Sequence, residues 1–148
     1  MLRARWMTRR DHRQVGKILD SYDSGQTITD IRRKLSKNVV GMVAADQEIV
    51  EGFMLYSLLP EDGRLKVMDF AVADKHCWDE VSIVLLEALE KKLCKRYTHC
   101  EIDVSLDYAS YFSALGWYAV AEDDDVIRMQ TWVDGRIPRF KTKYSRVV

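Results

Sequence analysis

Several features that would mark a special class of protein are missing from these 148 residues. Lys plus Arg and Asp plus Glu number 23 each, so the chain has no net charge. The bulk electrostatic case for a nucleic-acid partner is therefore absent. No apolar run approaches the roughly 20 residues needed to cross a bilayer, and no membrane partner is expected. Residues 1–13 are basic but lack the apolar centre of a signal peptide. Cys77, Cys94 and Cys100 form no C-x-x-C pair and are odd in number, which reads as reduced thiols in the cytoplasm. Their spacing with His76 and His99 matches no zinc template, so no metal is expected. There are no internal repeats and no low-complexity tract. What remains is 47% apolar, which excludes a disordered chain. The length suits one domain with a proper core.

The rest of the chain is organised around residues 64–96, RLKVMDFAVADKHCWDEVSIVLLEALEKKLCKR. Residues 65–72 are apolar and β-branched enough for a largely buried strand, interrupted by Asp69. Val81, Val84, Leu85, Ala88, Leu89 and Leu93 then recur at helical spacing, with charged residues opposite. Asp79 and Glu80 fall in the first turn of this helix. Lys91, Lys92, Lys95 and Arg96 crowd its end, as the helix dipole favours. A strand that feeds directly into a helix start is a common place for phosphorylated cofactors in α/β proteins.

Upstream, residues 3–7 read as a strand. Thr8 with Asp11 makes a capping-box pattern before Val15, Ile18, Leu19 and Tyr22. Thr27 with Asp30 repeats the pattern before a shorter helix carrying Ile31 and Leu35. Residues 38–45 and 49–59 read as a hairpin around 46–48, and Gly52 in the second strand suggests a bulge. The turn Pro60-Glu61-Asp62-Gly63 closes a three-stranded antiparallel meander. Downstream, residues 100–105 alternate, with Cys100, Ile102 and Val104 on one face and Glu101, Asp103 and Ser105 on the other. A right-handed crossover makes this strand parallel to 65–72. Asp107 can cap a short helix stopped by Gly116. Residues 117–121 and 126–132 then form a hairpin around the acidic turn 122–125. The result is an α/β fold: a mixed sheet of about six to seven strands with about four helices, spanning residues 1–132. A basic tail, 133–148, reads as a solvated or dimer-contacting arm.

This order of elements resembles the GNAT superfamily of N-acetyltransferases, most of all its ribosomal-protein-alanine acetyltransferase branch. MDFAV followed nine residues later by VSIVLLEALE falls in register with the acetyl-CoA segment of that family, and YFSALGW sits where it has Phe-Tyr-x-x-x-Gly-Phe. The resemblance implies acetyl-CoA as cosubstrate, with pantetheine in a V between the two parallel strands against the main chain of Phe70, Ala71 and Val72. It also implies that the pyrophosphate meets backbone N–H groups at the helix start. There the family's Gln/Arg-x-x-Gly-x-Gly/Ala becomes Cys77-Trp78-Asp79-Glu80-Val81-Ser82. A side chain at 80 crowds an approach that glycine leaves open, and two carboxylates repel a pyrophosphate. Cys77 and Trp78 either face the ligand or plug its site. Asp107 and Phe112 would lie on the cofactor side as well.

Acetyl transfer to an amine needs a base and an acid for the leaving thiolate. The resemblance puts Asp103 at the position of the base, with Asp69 as a second carboxylate. Phe112 stands where the family has its acidic tyrosine, leaving Tyr108 or water to protonate the thiolate. Two functions follow as expectations. One is an acetyl-CoA-dependent N-acetyltransferase acting on an amine such as a protein N-terminus. The other is a GNAT-derived binding or assembly module with impaired catalysis.

Overall fold

The computed structural model of the chain describes residues 1–21, 27–35, 39–59, 64–93 and 99–132. Seven strands form one mixed sheet in the order β1-β2-β3-β4-β5-β7-β6. Four α-helices accompany them among the described residues. The expected α/β class, strand number and single parallel pair are all present. Tyr22, the turn 60–63, Cys94 and the tail 133–148 lie outside the described residues. Among those described, no helix is long and apolar enough to cross a membrane. Contacts divide the chain into two units, residues 1–58 with 69–85, and residues 59–68 with 86–148.

In the first unit, β1 (Leu2–Trp6) pairs antiparallel with β2 (Val39–Asp46), and β2 with β3 (Ile49–Leu59). Ala44 faces Gly52 and Ala45 faces Val50, which leaves Glu51 as the extra residue of a bulge beside Gly52. Both capping boxes form. The Thr8 N–H donates to Asp11 Oδ2 at 2.7 Å, and the Thr27 N–H donates to Asp30 Oδ2 at 2.8 Å while Thr27 Oγ1 accepts from the Asp30 N–H. A 3₁₀ turn, Arg9–Asp11, precedes α1 (His12–Asp20), and α2 spans Ile28–Lys34. Val15, Ile18 and Leu19 of α1 and Ile31 of α2 pack with Val43, Phe53, Leu55 and Ala71 into the core.

In the second unit, the first half of β4 (Arg64–Val72) runs parallel to β5 (His99–Ser105) over four residue pairs, Arg64↔His99 to Val67↔Ile102. β5 then pairs antiparallel with β7 (Val126–Trp132), and β7 with β6 (Tyr118–Asp123). Cys100, Ile102 and Val104 are buried and Asp103 is exposed, as the alternation predicts. The last hairpin turns on Asp124 and Asp125 alone. Asp124 takes the left-handed conformation, φ 49°, that a two-residue turn demands.

Two expectations about helices need correction. β5 passes straight into α4 (Leu106–Ala114), so Asp107 is its second residue and not its cap. The Leu106 N–H, which opens the helix, donates to the Asp125 carbonyl at 3.1 Å. Gly116 does stop α4. Its φ of 101° lets the Trp117 N–H reach back to the Phe112 carbonyl at 3.1 Å. The long helix, α3 (Trp78–Leu93), buries Trp78, Val81, Ser82, Leu85, Leu86 and Leu89, whereas Val84 and Ala88 are half-buried. Its apolar residues run nearly all round between 81 and 86, so spacing alone did not fix the buried side.

Candidate functional site

The first unit contains the strand end, the turn and the helix start at which a phosphorylated ligand is expected. β4 ends at Val72, and the Ala73 N–H still donates to the Glu51 carbonyl of β3 at 2.8 Å. Asp74 then caps a 3₁₀ turn, Lys75–Cys77: its side chain accepts from the His76 N–H at 2.9 Å. The Cys77 N–H donates to the Asp74 carbonyl, and the Trp78 N–H is taken by the Lys75 carbonyl. Of the first-turn N–H groups that an α-helix leaves without an internal acceptor, those of Asp79 and Glu80 follow.

Close packing fixes this start of α3 against the strands. A Cβ on Gly52 would come within 2.5 Å of Val81 Cγ1 and 3.2 Å of the Ala71 carbonyl oxygen. Only glycine lets β3 pass that close. Trp78 is 4% exposed, its ring 5.4 Å from that of Phe70 at a tilt of 52°. It is thus a packed residue of this unit. Ala71, Val72, Val81 and Ser82 are buried too, and the Ser82 hydroxyl has no hydrogen-bond partner among the described residues.

The electrostatics of the turn are negative. Asp79 and Glu80 are exposed at the helix start. Burial pushes the Cys77 thiol above its ordinary value, and the carboxylates of Asp74, Glu80 and Glu51 push it further, which disfavours the thiolate. Cys100 is likewise raised by burial.

Asp69, one residue before this segment, is buried with its side chain 6% exposed, and Lys34 Nζ of α2 stands 3.1 Å from its Oδ2. The sequence showed the carboxylate but not the lysine. Lys34 lies one helical turn after Ile31, and nothing local ties it to β4.

The second unit contains Asp103. Arg128 Nε of β7 donates to its Oδ1 at 3.0 Å, and Lys66 Nζ of β4 lies 3.4 Å from Oδ2. The Arg128 bond holds the carboxyl below the usual carboxylate range; partial burial opposes this and the Lys66 charge adds to it. Arg128 also lies 3.7 Å from Glu101, which accepts from Gln130. The register pair Asp103↔Arg128 depends on β7 returning between β5 and β6, so no short-range signal could have disclosed it. Phe112 is 2% exposed and meets Trp117 edge-on, ring centres 5.5 Å apart, as part of the core. Tyr111 is exposed. The side chains of Asp107 and Tyr108 lie outside the described residues. Among the described residues no group of His, Cys, Asp and Glu is placed to hold a metal.

The meander, the parallel strand–helix–strand unit and the closing hairpin together give the fold of the GNAT N-acetyltransferases. Among solved structures, the ribosomal-protein-S18-alanine N-acetyltransferase of Escherichia coli matches 90% of this chain and 95% of its own, with TM-score 0.76 and 13% identity. The aminoglycoside 6′-N-acetyltransferase of Enterococcus faecium matches 93% and 99%, with TM-score 0.74 and 13% identity. The PaiA N-acetyltransferase of Thermoplasma acidophilum, in complex with coenzyme A, matches 89% and 99%, with TM-score 0.68 and 14% identity. No family model and no curated protein sequence matches the chain.

Proposed function

We propose that the chain is an acetyl-CoA-dependent N-acetyltransferase of the GNAT superfamily acting on an amine. The observation that carries this reading is the end of β4 running through one tight turn into α3, with main-chain donors at Asp79 and Glu80. Phe70, Ala71 and Val72 would hold pantetheine through their main chain, and the α3 N–H groups would meet the pyrophosphate. A solved relative of this fold holds coenzyme A, and two others are named for amine substrates, an alanine and aminoglycosides. The acceptor in this reading is an amine of a small molecule or a protein N-terminus.

Acetyl-CoA supplies a thioester; the carbon–nitrogen bond forms as the carbon–sulfur bond breaks. The amine gives up one proton and the thiolate gains one. In this reading Asp69 takes the amine proton, with Asp103 as the alternative. Asp103 has two cations against it and a depressed pKa, which weakens it as a base. Asp69 is buried, with Lys34 Nζ 3.1 Å from its Oδ2. Tyr108 or water returns the proton to sulfur.

A second reading, a GNAT-derived binding module with impaired catalysis, is favoured by the acidic turn. Asp74, Glu80 and Glu51 all act on Cys77, where the family has Gln or Arg. Calorimetric titration with acetyl-CoA separates the two. Saturable binding in the micromolar range, about −8 kcal/mol, supports the enzyme. No heat and no thermal shift at about 1 mM ligand would leave the binding module. Glu80→Gly with Cys77→Arg is expected to tighten acetyl-CoA binding by removing like charge. Given turnover, Asp69→Asn is expected to slow it roughly 100-fold, and an unchanged rate removes Asp69 from the mechanism.

A further inference from the structure

The first unit has a concentration of arginine that acetyl transfer does not use. Arg9, His12, Arg32 and Leu35 line a cavity of about 460 Å³ where the start of α1 meets α2. Arg9 also lines a second cavity of about 710 Å³, together with Arg5, Arg10, Gln14 and Gln47 and the acids Asp11 and Glu48. In a chain with equal numbers of acids and bases, the smaller cavity has, among the described residues, two guanidinium groups and no carboxylate on its wall.

The neighbouring acid is already committed. Asp11 accepts from both Arg5 Nη1 at 2.7 Å and Arg5 Nη2 at 2.8 Å, and Arg5 is the only cation with a bond to it among the described residues. No ion pair joins Arg9, Arg10 or Arg32 to a carboxylate among the described residues. Arg32 is oriented all the same. Its Nε donates to His12 Nδ1 at 3.1 Å, which fixes the guanidinium plane and leaves both Nη groups for another acceptor. That bond requires a neutral imidazole. Burial lowers the His12 pKa, and the charges of Arg32 and Arg9 lower it further against the opposing pull of Asp11.

We propose that this cavity binds the phosphate group of a small phosphomonoester, with the guanidinium groups of Arg9 and Arg32 as its ligands. A phosphomonoester has a charge near −2 at neutral pH and oxygens that match the guanidinium fork, whereas a single carboxylate would leave one arginine unanswered. The volume lies within the range of small-molecule sites. The adjoining cavity, reached past Arg9, offers Arg10 and the amide of Gln47 to a polar remainder of the molecule, while Gln14 is held by the Glu48 carbonyl and the Val50 N–H. This inference stands whether or not the chain transfers acetyl groups.

The test is calorimetric titration of the full chain with ribose 5-phosphate and with inorganic phosphate. Saturable binding of either is expected, with Arg9→Gln and Arg32→Gln each weakening it at least about tenfold, the scale of a lost charge-assisted contact. Tighter binding of ribose 5-phosphate assigns the second cavity to the organic part; equal binding limits recognition to the phosphate group. A second readout uses the unsubstituted protein. The His12 imidazole resonance should move on titration, and its pKa should rise as a dianion settles beside it. The proposal is overturned by no saturable binding at about 10 mM of either probe. Binding unchanged in the Arg9→Gln/Arg32→Gln double variant, a His12 signal that stays put, or retention of duplex DNA without phosphomonoester binding would also overturn it.

Discussion

Asp11 shows how many constraints one side chain can satisfy. It closes the capping box with the Thr8 N–H, accepts the Thr8 hydroxyl at 3.2 Å, and takes both Nη groups of Arg5, all at 2% exposure. Burial pushes its carboxyl up, but the Arg5 bonds and the Thr8 donors outweigh this and leave the pKa below its ordinary value. A carboxyl with a depressed folded pKa contributes stability that is present above the unfolded value, about 3.9, and lost as pH falls through the folded one. Asp11→Asn is therefore expected to cost about 2 kcal/mol near neutral pH and to flatten the acid limb of the stability curve. Denaturant midpoints measured from pH 2 to pH 7 check both. Half of this was legible in the sequence, because Thr8 and Asp11 are three residues apart and a capping box is local. The arginine was not, since its reach depends on β1 being placed beside the helix start. The same division separates Asp69, read directly as an acid in an apolar strand, from Lys34, its partner 35 residues away.

Between elements, Gly52 marks a close approach. The glycine was read as a bulge signal, and the bulge residue is its neighbour Glu51. The glycine itself serves the passage of β3 beneath Val81 and Ala71. A methyl group there must displace either the first turn of α3 or the Ala71 carbonyl, and neither is the free end of a flexible side chain. Gly52→Ala is expected to cost roughly 1–3 kcal/mol as an overpacking change. In the acetyltransferase reading it also weakens acetyl-CoA binding, because it moves the turn that receives the pyrophosphate. Thermal melts and the acetyl-CoA titration measure the two effects separately. At this scale the order of elements was readable from periodicity and turn chemistry. The buried side of α3 was not, because Val81, Ile83, Val84, Leu85 and Leu86 leave little contrast around the helix. Asp107 misled for a related reason: an Asp before an apolar run is a capping signal, yet β5 continues into α4 without a loop, and the capping position falls earlier.

Neither unit of the whole molecule is one continuous stretch of chain. The first takes residues 1–58 and then 69–85, and β4 is divided between the two at Met68 and Asp69. The core of the first unit includes Ala71, and Val81 and Leu85 are fully buried. A fragment ending at Leu58 loses Ala71 from the core cluster of Phe53 and Leu55 and the Val81 and Leu85 side chains packed over Gly52, and is expected to show no cooperative thermal transition by circular dichroism. A sharp transition in that fragment would mean that the meander and its two helices suffice. The divided strand also has a consequence for a chain made from one end to the other on the ribosome. The first 58 residues emerge with their strands and helices specified but their core unfinished, and they wait for Leu85. At about 5–20 residues per second that interval lasts a second or more. Nascent protein in this state presents open apolar surface to holding chaperones, and synthesis that pauses before codon 85 prolongs it.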